Sequence, residues 1–114
     1  MQHRTHHTAE MEQCIQNCLN CHHICLETVT ASLQHGGEHA QANHIRLMLD
    51  CSEICQISAN FMIRGSELHA LTCGVCAEVC TRCADDCDRF DEAFMKECAE
   101  MCRRCAESCQ QMAA

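Results

Sequence analysis

The chain has 114 residues, 15 of them cysteine, with no Pro, Trp or Tyr and a formal net charge of −8 at pH 7. That length suits one domain, expected over residues 1–114, and an acidic chain without a run of Lys or Arg offers no footprint for nucleic acid. Leu, Ile, Val and Phe number 7, 6, 3 and 3, or 19 residues, below the roughly 20% typical of folding chains, so sulfur has to fill much of any core.

The opening stretch, MQHRTHHTAE, has no apolar leader segment, and no run of 18 apolar residues follows it. A cytoplasmic protein with no membrane partner is expected, with residues 1–7 as a flexible tail. The chain then falls into four helical stretches. The first, about 8–34, carries Cys14, Cys18, Cys21 and Cys25 and stops at HGG, 35–37. The second, about 38–63, carries His44, Met48, Cys51 and Cys55 and stops at RGS, 64–66, where Ser66 is placed to cap the next helix. The third, about 67–88, carries Cys73, Cys76, Cys80, Cys83 and Cys87, and a turn follows near DRFD, 88–91. The fourth, about 91–112, carries Cys98, Cys102, Cys105 and Cys109. Short connections make neighbouring helices antiparallel, so the fold class expected is all-α: an up-down-up-down four-helix bundle.

The spacing C-x3-C-x2-C-x3-C occurs three times, starting at Cys14, Cys76 and Cys98, with His44, Met48, Cys51 and Cys55 in the same register on the second helix. Steps of three and four return to one helix face. Each helix therefore presents a sulfur stripe, and the bundle interior becomes a Cys-lined column roughly 17 to 21 Å long, from about 1.5 Å of rise per residue.

An inert core is the bland alternative, since free Cys is a commonly buried small hydrophobe. Leu or Ile would fill that volume better without the risk of oxidation. Disulfides fit poorly too, because the cysteine count is odd and two Cys on one helical turn point along parallel directions. Metal remains. Thiolates select Cu(I), Zn(II) or iron-sulfur clusters, and the loop spacings of iron-sulfur sites do not occur. Cβ atoms three or four residues apart on a helix lie about 5 to 6 Å apart, a gap that two metal–sulfur bonds of about 2.3 Å can span. Cu(I) replacing one thiol proton leaves the interior neutral, whereas Zn(II) replacing four leaves about −2 per site with no inward Lys or Arg to offset it. Cu(I) in multiple ions, about one per Cys, is the favoured cargo. A Zn(II) or Cd(II) thiolate buffer of metallothionein type, and a copper chaperone or sensor binding few ions, stay open as alternatives.

Other ligands gather at the ends of the stripes. His7, Met11, Met62, His69 and Met112 fall at one end; His44, Met48 and Met95 fall at the other, with His35 and His39 in the adjoining turn. Of these, His44, Met48 and His69 join the 15 Cys as candidate metal ligands. His3, His6, His22 and His23 read as solvated, and Phe61, Phe90 and Phe94 as packing residues near the bundle ends. No Glu has a His three residues later, as a di-iron oxidase would need, and no single thiol stands out as a nucleophile, so no enzyme is expected.

The repeated C-x3-C-x2-C-x3-C on four Pro-free stretches resembles the cytosolic branch of the bacterial copper storage proteins, over roughly residues 8–112. The resemblance implies a four-helix bundle whose inward Cys bind many Cu(I) ions and a homotetrameric assembly; copper donor or acceptor proteins are the further partners expected of a store. The second helix departs from the pattern, with His44 and Met48 where thiols would stand.

Overall fold

In the computed structural model, which describes residues 7–114, Thr8 starts the first helix: its Oγ1 accepts a hydrogen bond from the Met11 N–H at 3.1 Å, and Glu10 and Glu12 lie in the first turn. A hydroxyl there satisfies a backbone donor that would otherwise be unpaired, and the acids complement the positive end of the helix dipole. This helix, α1, runs Ala9–His35. Residues 1–6, with His3, His6 and most of the expected tail, lie outside the described residues; His7 is half-buried.

Gly36 and Gly37 end α1 with φ of 78° and 61°, a left-handed conformation that side chains resist. A 3-10 turn, Gly37–Ala40, follows, and α2 runs Ala42–Ile63. The second helix was expected from about residue 38, but residues 37–40 wind into this tighter turn, whose His39 is buried against Phe90, and Gln41 is extended. Gly65, with φ of 68°, closes α2. Ser66 does not cap the third helix as expected. Its Oγ accepts from the Leu68 N–H at 3.1 Å and so stabilises a separate turn, and α3 begins only at His69. α3 runs His69–Cys87 and α4 runs Ala93–Ala113.

The four helices pack as a square, α1 against α2 and α4, and α3 against the same two. Pairings such as Cys14 with Cys109 and Cys25 with Cys98 run in opposite chain directions, so α1 and α4 are antiparallel. Cys55 with Cys76 and Cys51 with Cys80 give the same result for α2 and α3. Around the sulfur stripe, Ala77 and Ala84 of α3 and Ala99 and Ala106 of α4 are buried, small residues that let these two backbones approach. Arg103 of α4 pairs with Asp85 and Asp88 at the end of α3. No helix among the described residues is long and apolar enough to cross a membrane.

Gly74 lies inside α3, where an added Cβ would meet only the Ala113 Cβ at 3.8 Å. Gly74→Ala should therefore stabilise the bundle by about 0.5 to 1 kcal/mol, because the chain loses less freedom on folding and nothing is crowded. Thermal unfolding of the reduced chain checks this; an unchanged or lowered midpoint would contradict it.

Candidate metal centre

All 15 cysteines are free and fully buried, at 0% exposure. Each helix delivers its stripe by alternating steps of three and four, and the stripes meet along the bundle axis. At one end Cys14, Cys73 and Cys109 form a trio whose sulfurs lie within 4.8 Å of one another. Further along come Cys18, Cys76, Cys105 and Cys109, then Cys21, Cys55, Cys80 and Cys105, then Cys21, Cys25, Cys51 and Cys102, each set within the same limit. Cys109, Cys105 and Cys21 belong to two sets apiece. The sulfurs thus form a net, not separate cages. Its links include Cys18 to Cys109 at 3.5 Å, Cys18 to Cys105 at 3.7 Å, Cys55 to Cys105 at 3.8 Å, Cys51 to Cys80 at 3.6 Å and Cys25 to Cys98 at 3.9 Å.

Such contacts polarise the thiols. Where one S–H donates to a neighbouring sulfur, the acceptor's thiolate is favoured and the donor holds its proton. Cys98 is lowered to about 5, first by Cys102 and then by Cys25, while its neighbour Cys87 is pushed up by Cys83, by Cys98 and by burial. For Cys73, donation from Cys109 pulls down, but Cys14 and burial outweigh it, and the thiol is pushed up to about 11. Protons and soft cations therefore compete for the same sulfurs.

The two ends of the column differ. At the Cys14 end, Cys73 donates to the Met62 Sδ at 3.7 Å, and Ser58 Oγ lies 3.3 Å from the Cys73 sulfur. His69 is half-buried there, its Nδ1 hydrogen-bonded to the Ser66 carbonyl at 2.9 Å. Met11 and Met112 are half-buried against this core. At the other end, Met48 and Met95 are fully buried, and His44 is 1% exposed. His44 Nδ1 meets Asp86 Oδ2 at 2.5 Å, and its Nε2 lies 3.5 Å from Ser32 Oγ, which in turn donates to Met95 Sδ at 3.7 Å. A carboxylate behind an imidazole fixes the ring and raises the basicity of the far nitrogen, the arrangement found behind metal-bound histidines.

Phe90 is buried under His39 and His44, with ring centroids 4.1 and 4.9 Å away, and Phe94 lies 6.1 Å from His39. Phe61 is half-buried beneath Arg64. These placements match the packing role read for the three Phe. His23 is exposed, but His22 is not solvated as expected: it is half-buried, and its Nδ1 lies 2.9 Å from both Oγ and the carbonyl of Ser52. The packing of α2 against α1 brings Ser52 over that ring.

The chain matches the copper storage protein family over residues 7–114. It is similar to the cysteine-rich protein YhjQ of Bacillus subtilis, 33% identical over 80 residues, which are 70% of this chain and 74% of that one. Among solved structures, the Nmul_A1745 protein of Nitrosospira multiformis is 46% identical with a TM-score of 0.88, covering 91% of this chain and 94% of that chain. The Cu(I)-bound copper storage protein BsCsp3 is 32% identical, with a TM-score of 0.87 over 92% of this chain and 99% of that chain. A cytosolic copper storage protein of Streptomyces lividans, in a copper-loaded form described with five coppers, is 29% identical, with a TM-score of 0.85 over 91% and 92%.

Sequence reasoning missed Asp86, Ser32 and Ser58, polar groups that touch the column or its His44. The stripe register alone reaches Ser32 and Ser58, seven residues beyond Cys25 and three beyond Cys55; nothing local marks Asp86. Replacing it by Ala should cost about 1 to 3 kcal/mol of unfolding free energy, because a buried imidazole loses a charged partner. Urea denaturation of the reduced, metal-free chain reads this; a loss under about 0.5 kcal/mol would mean that the pair contributes no more than an exposed one.

Proposed function

The chain belongs to the copper storage protein family, and from that premise we propose that it stores Cu(I) along the thiolate column, at about one ion per cysteine. The observation that supports this best is the sharing of sulfurs between neighbouring sets. A thiolate that bridges two ions suits a continuous net. Isolated tetrahedral ions need four sulfurs each for themselves, and the sets that share Cys21 or Cys105 cannot all be filled at once.

The proposed ligands are Cys14, Cys18, Cys21, Cys25, Cys51, Cys55, Cys73, Cys76, Cys80, Cys83, Cys87, Cys98, Cys102, Cys105 and Cys109. His44 through Nε2, Met48 and His69 complete them at the two ends. The protein keeps a reactive ion away from water and oxidants and does not act as an enzyme. Its proposed place is the cytoplasm, in line with the cytosolic Streptomyces lividans relative, where copper donor and acceptor proteins would fill and empty it.

A homotetramer is the proposed assembly. In support, exposed large apolar residues sit on α1 (Leu26, Leu33), α2 (Leu49, Ile57, Ile63) and on α3 with the turn before it (Leu68, Leu71, Val75). The exposed residues of α4 include Lys96, Glu97, Glu100, Arg103, Arg104 and Glu107. Association through the apolar faces of the first three helices would leave α4 to water. Sedimentation velocity should give four times the chain mass; a monomer would remove this reading.

The four-sulfur sets also favour a second reading, a Zn(II) or Cd(II) buffer. An anaerobic Cu(I) titration of the reduced chain against a competing chromogenic chelator, with a parallel Zn(II) titration, separates the two. Retention of about 12 or more Cu(I) per chain with few Zn(II) is expected of a bridged thiolate core. Binding of only one to about four ions would overturn storage, in favour of the buffer if Zn(II) competes.

A further inference from the structure

Outside the thiolate column, three polar side chains converge at the His44 end. His35, in the last turn of α1, and His39, in the following 3-10 turn, both aim Nε2 at the carboxylate of Glu92, which precedes α4. His39 Nε2 lies 2.7 Å from Oε1 and His35 Nε2 lies 3.6 Å from Oε2. The two nitrogens and a carboxylate oxygen fall within 4.8 Å of one another. The two rings stack at 3.9 Å between centroids, tilted by 34°. At 2.7 Å the His39 Nε2–H donates to the Glu92 carboxylate, and a cation bound between them takes the place of that proton.

We propose that His35, His39 and Glu92 form a second metal site, for one divalent cation of borderline softness, with Zn(II) as its ion. Two imidazoles and a carboxylate are the nitrogen and oxygen donors such an ion takes, and they lack the soft sulfur that selects Cu(I). Zn–N and Zn–O bonds of roughly 2.0 to 2.2 Å place tetrahedral ligands about 3.3 Å apart. The separations of 2.7 and 3.6 Å lie on either side of that figure, so small side-chain rotations seat the ion. Water completes the fourth position, as in other three-ligand zinc sites. The supporting shell is already in place. Phe90 packs on the His39 ring at 4.1 Å, and His39 is only 7% exposed, which limits its rotation.

The site joins the α1–α2 connection to the start of α4. Beneath it the rings of His39, Phe90 and His44 follow one another in tilted contact, and His44 in turn meets Ser32, whose hydroxyl donates to Met95 Sδ. A cation bound to its outer members staples the two connections together over that end.

The test is a Zn(II) titration of the reduced full-length chain, followed by long-range proton–nitrogen NMR of the histidine rings. Glu92→Gln and the more exposed His35→Ala are compared with wild type, and His23→Ala, in the exposed pair with Glu27, is the control. Every variant keeps its 15 Cys, so Zn(II) taken up by thiols is a common background. The ring nitrogens of His35 and His39 should shift together in the wild type. Glu92→Gln and His35→Ala should each raise the midpoint at least about tenfold and bind one Zn(II) fewer per chain, and His23→Ala should behave as wild type. The proposal is overturned if the two rings do not respond while Zn(II) binds elsewhere, or if Glu92→Gln leaves their midpoint unchanged. Copper uptake is not read, so this result and that of the Cu(I) titration stand apart.

Discussion

Sulfur packed on sulfur is the contact on which this bundle depends. A thiol is small, polarisable and a weak hydrogen-bond donor, so each layer of the column contributes dispersion and a modest directional term where an ordinary core would bury branched aliphatics. Narrow layers draw the helices together, and the buried alanines flanking the stripe on α3 and α4 allow that approach. The remaining apolar side chains, Leu and Ile for the most part, are displaced outward, where many stay exposed. The acidic, salt-bridged exterior and the sulfur interior are two sides of one partition.

That partition is why so much was legible in the sequence. Cysteine at alternating steps of three and four admits one reading on a helix, and four stretches in that register, divided by two glycine breaks and the DRFD turn, leave little choice of architecture. The bounds of α1, α3 and α4 lie within two residues of those expected. The one larger misplacement has a local cause. α2 starts at Ala42 because the buried His39 holds the residues before it in a 3-10 turn. Glycine marks a chain break, but it does not say how many residues the turn will use.

The column was readable residue by residue; its ends were not. Asp86 sits between Asp85, which pairs with Arg103, and Cys87, and only the fold sets it against His44 rather than water. Glu92 is likewise one acid among several near the third connection, and it acquires a role from two histidines more than fifty residues earlier in the chain. Such partners come from the packing of different helices, which no periodicity within one helix encodes. The Ser32 and Ser58 contacts lie between these cases. Their register is visible, yet a hydroxyl on a stripe does not announce a thioether, an imidazole or a thiol as its neighbour.

Because every thiol is shut from solvent, an alkylating reagent can reach one only when the bundle breathes. The rate at which each cysteine is modified then becomes a clock for the opening of the segment around it. With sulfurs on all four helices and at successive heights, the chain carries its own array of such clocks. Few proteins allow local opening to be followed over their whole core without an engineered probe; here the natural sequence has installed the probes.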